Sequence, residues 1–222
     1  MFKRYGFLMA LCIVPVVYWI LVLHSEDICT QVRCVDVSDI QKSIEKMPPM
    51  AVGFDIDETV LFASPVFYHV AGLQCEGLLA ECMETTSFWE AANRLDSFSL
   101  PKRKGVDLVK MHLARGDTVY FITARQNTAN EMVTHTLRKL FNAPNMPEVI
   151  FTGYSRTENL KVKPIESHHI KIFYGDSDSD IEAAIDAHAR PIRILRAANT
   201  LETHIKPRVG AFHEEVVRDS GI

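Results

Sequence analysis

Asp55 and Asp57 stand two residues apart at the end of an apolar run, Met50 to Ile56, and Thr59 follows them. Carboxylates at this spacing both reach a crevice if the chain turns there. One can then attack phosphorus while the other moves protons. Acidic pairs are common at turns; the apolar run before this one and the threonine after it give it weight. Three further signals sit at or just beyond other apolar runs. In Ile122-Thr123-Ala124-Arg125 the Thr123 hydroxyl and the Ala124 backbone N–H can hold a phosphoryl oxygen, and Arg125 can add a bidentate contact. Lys161, beyond Val149–Thr152, would offset repulsion between a carboxylate and an anionic substrate; Lys163 competes for that role, and either alone reads most simply as a surface charge. Gly175-Asp176-Ser177-Asp178-Ser179-Asp180 offers the hard oxygen ligands that suit Mg²⁺. An EF-hand loop is excluded, because the loop glycine is missing and Ala187 stands where its final glutamate belongs.

Residues so far apart in sequence meet only if strands deliver them to one edge. Short apolar runs at Met50–Ile56, Thr118–Thr123, Val149–Thr152, Ile170–Tyr174 and Ile192–Leu195 predict those strands. Helical patterns alternate with them. Ser38 and Gln41 resemble a capping box for a helix with Ile40 and Ile44 on one face, ended by Pro48 and Pro49. Val106–Arg115 closes at Gly116, and Thr128–Phe141 and Asp180–His188 follow. The alternation predicts an α/β fold with a Rossmann-like, doubly wound parallel sheet, whose strand C-termini line the ligand crevice. The segment from Phe62 to roughly Lys104 breaks the rhythm, with Phe67, Tyr68, Phe88, Trp89 and Phe98 but no clear strand. It reads as a cap insertion after the first strand.

The 222 residues are 47% hydrophobic and 23% charged, with a formal net charge of −4 and no dense run of Lys and Arg. That argues against binding a nucleic-acid polymer and against a broad electrostatic funnel, so any phosphate site must be a local arrangement. Lys3 and Arg4 precede an uncharged run from Tyr5 to Leu23, about long enough to span a bilayer. A cleaved signal peptide and a signal anchor both fit residues 1–25; either delivers the rest across a membrane. Residues 26–36 then read as an exported linker and 37–222 as the folded domain. Cys29, Cys34, Cys75 and Cys82 fit an oxidising compartment, most economically as Cys29–Cys34 and Cys75–Cys82. A zinc site and free thiols are the alternatives.

The four signals, in this order and each at a strand end, resemble the haloacid dehalogenase superfamily of phosphotransferases. Pro49 to Phe62, Phe173 to Asp178, Arg193-Ile194-Leu195-Arg196-Ala197, Gly210-Ala211-Phe212 and Glu214-Glu215-Val216 closely resemble the bacterial class B acid phosphatases, from about Val37 to near the C-terminus. The resemblance implies a Mg²⁺-dependent, periplasmic, typically homotetrameric enzyme that cleaves nucleotides and other phosphomonoesters through an aspartyl-phosphate. By the same resemblance Asp55 is nucleophile and metal ligand. Asp57 is general acid/base and lends its backbone carbonyl to the metal, and Asp176 is the remaining carboxylate ligand. Thr123 and Lys161 bind phosphate, and Phe67 and Trp89 line the leaving-group pocket. Ala124 stands where the family usually has Gly, Glu58 where it usually has Asp, and Cys75 and Cys82 are additions in the cap. A phosphomutase or phosphonatase would share the core but needs a sugar site or a Schiff-base lysine that the sequence does not announce. A haloacid dehalogenase fits less well, because Asp57 suits protonation of an oxyanion. A binding protein derived from a dead enzyme would lack part of the constellation, and here it is intact.

Overall fold

A computed structural model describes residues 28–201 and 206–221. The chain forms two compact units, Met1–Val32 and Arg33–Ile222. Of the first, the described part is a 3-10 turn at Ile28–Thr30. The apolar run Tyr5 to Leu23, and with it the choice between signal and anchor, lies outside the described residues. Among the described residues no helix is long and apolar enough to cross a membrane.

The second unit is built on a seven-stranded sheet. Its strands are β1 (Arg33–Val35), β2 (Ala51–Phe54), β5 (Thr118–Thr123), β6 (Ile150–Phe151), β7 (Ile172–Gly175), β8 (Arg190–Arg193) and β9 (Glu215–Val217). The order is β1-β9-β8-β7-β2-β5-β6 and each pairing is parallel. A parallel sheet buries both faces, which is why the central strands read as continuous apolar runs. Val52, Phe54, Phe121, Ile172 and Tyr174 pack on one side with Ile40, Ile44, Leu108 and Val109 from helices. Ile122, Ile165, Phe173, Ala183 and Ala184 fill the other side. The helices are α1 (Val37–Ile44), α5 (Arg103–Arg115), α6 (Val133–Leu140), α7 (Val162–Ser167) and α8 (Asp178–Asp186).

Local departures from the sequence reading have local causes. The N-terminus of α1 lies at Asp36, whose N–H donates to Asp39 Oδ2 at 3.0 Å, so the cap is two residues before Ser38. Helix α6 starts at Val133 instead of Thr128 because Asn93 holds the preceding loop. Its amide donates to Gln126 O at 2.9 Å and Thr128 Oγ1 at 3.1 Å, and its carbonyl accepts from Met132 N–H. Helix α5 does end at Gly116, in the left-handed region at φ 82°. Arg33–Val35, in the segment read as linker, is an edge strand registered on Glu215–Val217, too short to show a period-two pattern.

The insertion leaves and rejoins the core through a small antiparallel ribbon, β3 (Leu61–Phe62) with β4 (Leu100–Pro101). Between them lie α2 (Ser64–Gln74), α3 (Leu79–Cys82), α4 (Thr86–Arg94) and a 3-10 turn at Asp96–Phe98. These elements pack a core of their own from Val66, Phe67, Val70, Phe88, Trp89 and Ala92. Cys75 and Cys82 are joined by a disulfide at its edge. Cys29 and Cys34 each take part in a disulfide, so neither is a free thiol or a zinc ligand.

Candidate active site

Three adjacent strands, β5, β2 and β7, present their C-terminal ends side by side. Asp55 is the first residue past β2, and its N–H donates to Tyr174 O at 2.8 Å, so the carboxylate is placed by the sheet itself. The chain then turns sharply. Ile56 O accepts from the N–H groups of Val60 and Leu61, both at 2.9 Å, and Glu58 takes the left-handed conformation at φ 58°. Such a φ is uncommon for a residue with a Cβ. Lys102, at the return from the insertion, holds the turn by donating from Nζ to Glu58 O and Leu195 O, each at 2.6 Å. The Glu58 carboxyl accepts from Ser64 Oγ at 3.0 Å, and burial pushes it above the usual carboxylate range against the pull of Lys102. Glu58 and Lys102 thus frame the site without entering it, a role the sequence reading did not give them.

Lys161 closes the centre. Its ammonium lies 2.6 Å from Asp55 Oδ1 and 2.6 Å from Asp180 Oδ1. Lys163, its rival in sequence, is exposed. The Thr59 hydroxyl lies 3.2 Å from Asp55 Oδ2 and 3.3 Å from Asp176 Oδ1. Asp176 stands directly after β7, and Arg196 Nε donates to its other oxygen. Arg193 fixes the loop from behind, donating to Asp176 O at 2.9 Å, Glu214 Oε1 at 2.6 Å and Asp178 Oδ1 at 3.1 Å. Asp180 reaches the centre because Gly175 has no Cβ; one there would fall on the Asp180 side chain. Asp180 also accepts from the Ser177 N–H and hydroxyl as the capping box of α8.

The buried carboxylates Asp55, Asp176 and Asp180 offer oxygens that all lie within 4.8 Å of one another. Burial is the first cause that drives Asp55 well above the usual range; Lys161 opposes it, and the neighbouring carboxylates add to it. Burial likewise raises Asp176, against Arg196. Burial also works on Asp180, but Lys161 and the Ser177 hydrogen bonds win and hold it low. Lys161 stays charged, because its two carboxylates outweigh its own desolvation. Crowded, desolvated carboxylates with too few cations are what a divalent cation relieves, and an all-oxygen donor set suits a hard ion. The residues present therefore fit a divalent metal at Asp55 and Asp176, with Asp180 beside them.

Asp57, on the far side of the turn, faces Arg125. The guanidinium spans its carboxylate, Nε to Oδ2 at 2.9 Å and Nη2 to Oδ1 at 2.6 Å. Thr123 Oγ1, at the end of β5, lies 3.4 Å from Asp57 Oδ2 and accepts from the Arg125 N–H at 3.2 Å. Ala124 between them is exposed. The structure thus brings Asp55, Asp57, Thr123, Arg125, Lys161 and Asp176 to one place. It puts Arg125 on a carboxylate, where the sequence reading had it on phosphate. Phe67 and Trp89 are 2% and 6% exposed; Trp89 packs edge to face on both Phe67 and Phe88, and Phe67 lies tilted against Phe88. Trp89 Nε1 donates to Met83 O at 2.6 Å. Both rings belong to the buried core of the cap.

The family model of the haloacid dehalogenase superfamily, subfamily IIIB (acid phosphatase), matches residues 15–203. A class B acid phosphatase of Proteus mirabilis is 48% identical over 192 residues, 85% of this chain and 80% of the relative. Another from Marinomonas is 44% identical over 190 residues, 85% and 80% of the two chains. Among solved structures, a hydrolase from Pseudomonas syringae matches with a TM-score of 0.51 at 13% identity, over 78% of this chain and 94% of the other, a likeness of fold alone. Catalytic-end geometry, fold and relatives agree, and the chain belongs to the class B acid phosphatases of the haloacid dehalogenase superfamily, phosphoric monoester hydrolases.

Proposed function

We propose that this acid phosphatase is Mg²⁺-dependent and hydrolyses phosphomonoesters, nucleotides and aryl phosphates among them, through a phosphoryl group carried on Asp55. The observation that carries the reading is the pair of carboxylates on one turn with opposite surroundings. Asp55 is held by Lys161 at 2.6 Å beside two acidic neighbours, and Asp57 is held by Arg125 at 2.6 Å. A metal at Asp55 and Asp176 would supply charge neutralisation for the incoming phosphate. Lys161 and the Thr123 hydroxyl orient the phosphoryl oxygens so that a carboxylate oxygen of Asp55 approaches phosphorus in line. The new Asp55–phosphorus bond forms as the ester bond breaks, and Asp57, protonated at the outset, gives its proton to the departing oxygen. Asp57 then takes a proton from water as its oxygen attacks phosphorus. The bond to Asp55 breaks, and inorganic phosphate and Asp55 are released. Positioning and electrostatics carry most of the acceleration in such transfers.

Export to the periplasm and assembly as a homotetramer belong to the same proposal. Cys75–Cys82 supports an oxidising compartment. Tyr68, Leu73, Leu78, Phe98 and Leu100, all in the insertion, are 55–72% exposed and support a self-association surface. A panel of aryl, nucleoside and alkyl phosphates, assayed with and without EDTA, tests the reading. Activity should vanish on chelation, return with Mg²⁺ and favour the aryl and nucleoside esters. Full turnover after exhaustive chelation contradicts it.

A further inference from the structure

Arg125 is 1% exposed, and its guanidinium is engaged on every side. One edge spans Asp57. Nη2 also lies 2.8 Å from Asp96 Oδ1, and Nη1 lies 3.3 Å from Asn93 Oδ1. The Phe67 ring covers its face, with Cζ 5.3 Å from the ring centre. Asp57 and Arg125 belong to the core, whereas Asp96, Asn93 and Phe67 all belong to the insertion. Asp96 is 0% exposed and its Oδ2 has no hydrogen-bond partner; among the described residues its ion-pair partner is Arg125. Asn93 is tied in turn to Gln126 and Thr128, in the loop that follows Arg125.

A planar fork fixed at one end and covered on its face can present its remaining edge in only one orientation. We infer that Asp96 and Arg125 are positioning residues through which the cap sets the orientation of the Asp57 carboxyl, and with it proton transfer to the leaving group. The inference rests on the role given above to Asp57. An ionised carboxylate has about four lone-pair sites. Arg125 occupies two of them and the Thr123 hydroxyl lies 3.4 Å from Oδ2, so the sites left for the proton that moves are directed away from the fork. Neither Asp96 nor Arg125 needs to touch substrate for this.

The leaving group separates this role from plain packing. A 4-nitrophenolate departs with little help from an acid, whereas an alkoxide needs its proton. The experiment measures kcat/KM, which reports the step up to ester cleavage, for 4-nitrophenyl phosphate and glycerol phosphate. It compares the wild type with Asp96→Asn, Arg125→Lys and Asp57→Asn, all with Mg²⁺, and thermal melts verify that each variant is folded. In Asp96→Asn the alkyl ester should lose roughly 10- to 100-fold and the aryl ester at least tenfold less, a fraction of what acid catalysis usually contributes. Arg125→Lys, which keeps the charge and loses the fork, should show the same skew and carries the test if Asp96→Asn does not fold. Equal losses on both esters, or no loss on either, would overturn the inference. Asp57→Asn keeps the two failures apart. If it leaves the alkyl-to-aryl ratio at the wild-type value, the acid role of Asp57 itself fails. If it shifts the ratio while the Asp96 and Arg125 variants do not, only the cap's role fails.

Discussion

Lys161 and Arg125 are both buried cations shared between two carboxylates, yet the two places are built differently. The partners of Lys161, Asp55 and Asp180, both belong to the rigid core, one at the end of β2 and one in the first turn of α8. The partners of Arg125 are divided, Asp57 in the core and Asp96 in the cap. An ammonium is a compact charge with freely rotating donors; a guanidinium is a rigid plane. In the proposed mechanism the core half therefore offers charge wherever a phosphate settles, and the cap half offers direction. On that proposal the contrast separates two tasks, neutralising the transferred group and steering a proton.

The largest effect should come from the core half. Lys161→Ala removes the cation from Asp55 and should lower kcat by about 10²–10³ or more, the usual cost of losing a preorganised electrostatic group. Steady-state kinetics at saturating Mg²⁺ would reveal it, and a loss under tenfold would end the comparison. Asp180→Asn comes next. It leaves Lys161 with one carboxylate and removes the third acidic group of the cluster. The Mg²⁺ concentration for half-maximal activity should rise about 10- to 100-fold, as when a group supporting metal ligands is removed. An unchanged Mg²⁺ requirement would place Asp180 in helix capping alone.

The smallest effect lies away from both cations, and its sign is fixed by burial. His112 bridges Asp117 Oδ2 at 2.7 Å and the Tyr174 hydroxyl at 2.9 Å. Burial pushes the imidazole below its ordinary value, although Asp117 pulls the other way. Burial also acts on Asp117, but hydrogen bonds from His112, Met50 and Arg115 leave it lowered. A group depressed in the folded state binds protons more readily in the unfolded chain. The stability it contributes is thus complete above the ordinary histidine value of about 6.5 and is lost as pH falls toward the depressed one. The difference in Tm between wild type and His112→Gln should narrow between pH 7 and pH 5, roughly the histidine range. A constant difference across that range would contradict the account.

The two halves also differ in how far the sequence disclosed them. Thr123 ends the apolar run that becomes β5, and Asp55 and Asp176 stand just past β2 and β7, so strand ends and reactive groups were read together. Lys161 is the N-cap of α7, and its exposed neighbour Lys163 resembles it in sequence; the fold alone separates them. Asp180 was hidden in an acidic, serine-rich helix start, where capping is the simpler reading. Asp96 is legible in no periodicity, because its partner Arg125 lies on the other side of α5 and β5. Phe67 and Trp89 gave an aromatic signal that is the same for a cap core and for a substrate platform, and the fold packs them as core. The β1 strand escaped notice because its length of three residues carries no pattern.

Everything turns on Asp55 as the atom donor to phosphorus. Rapid acid quenching of a single turnover with ³²P-labelled aryl phosphate, followed by peptide mapping, measures it directly. The account predicts a transient, hydroxylamine-sensitive label on the peptide that contains Asp55, and neither label nor turnover in a folded Asp55→Asn variant. Substantial turnover by that variant, or label on another residue, would contradict it.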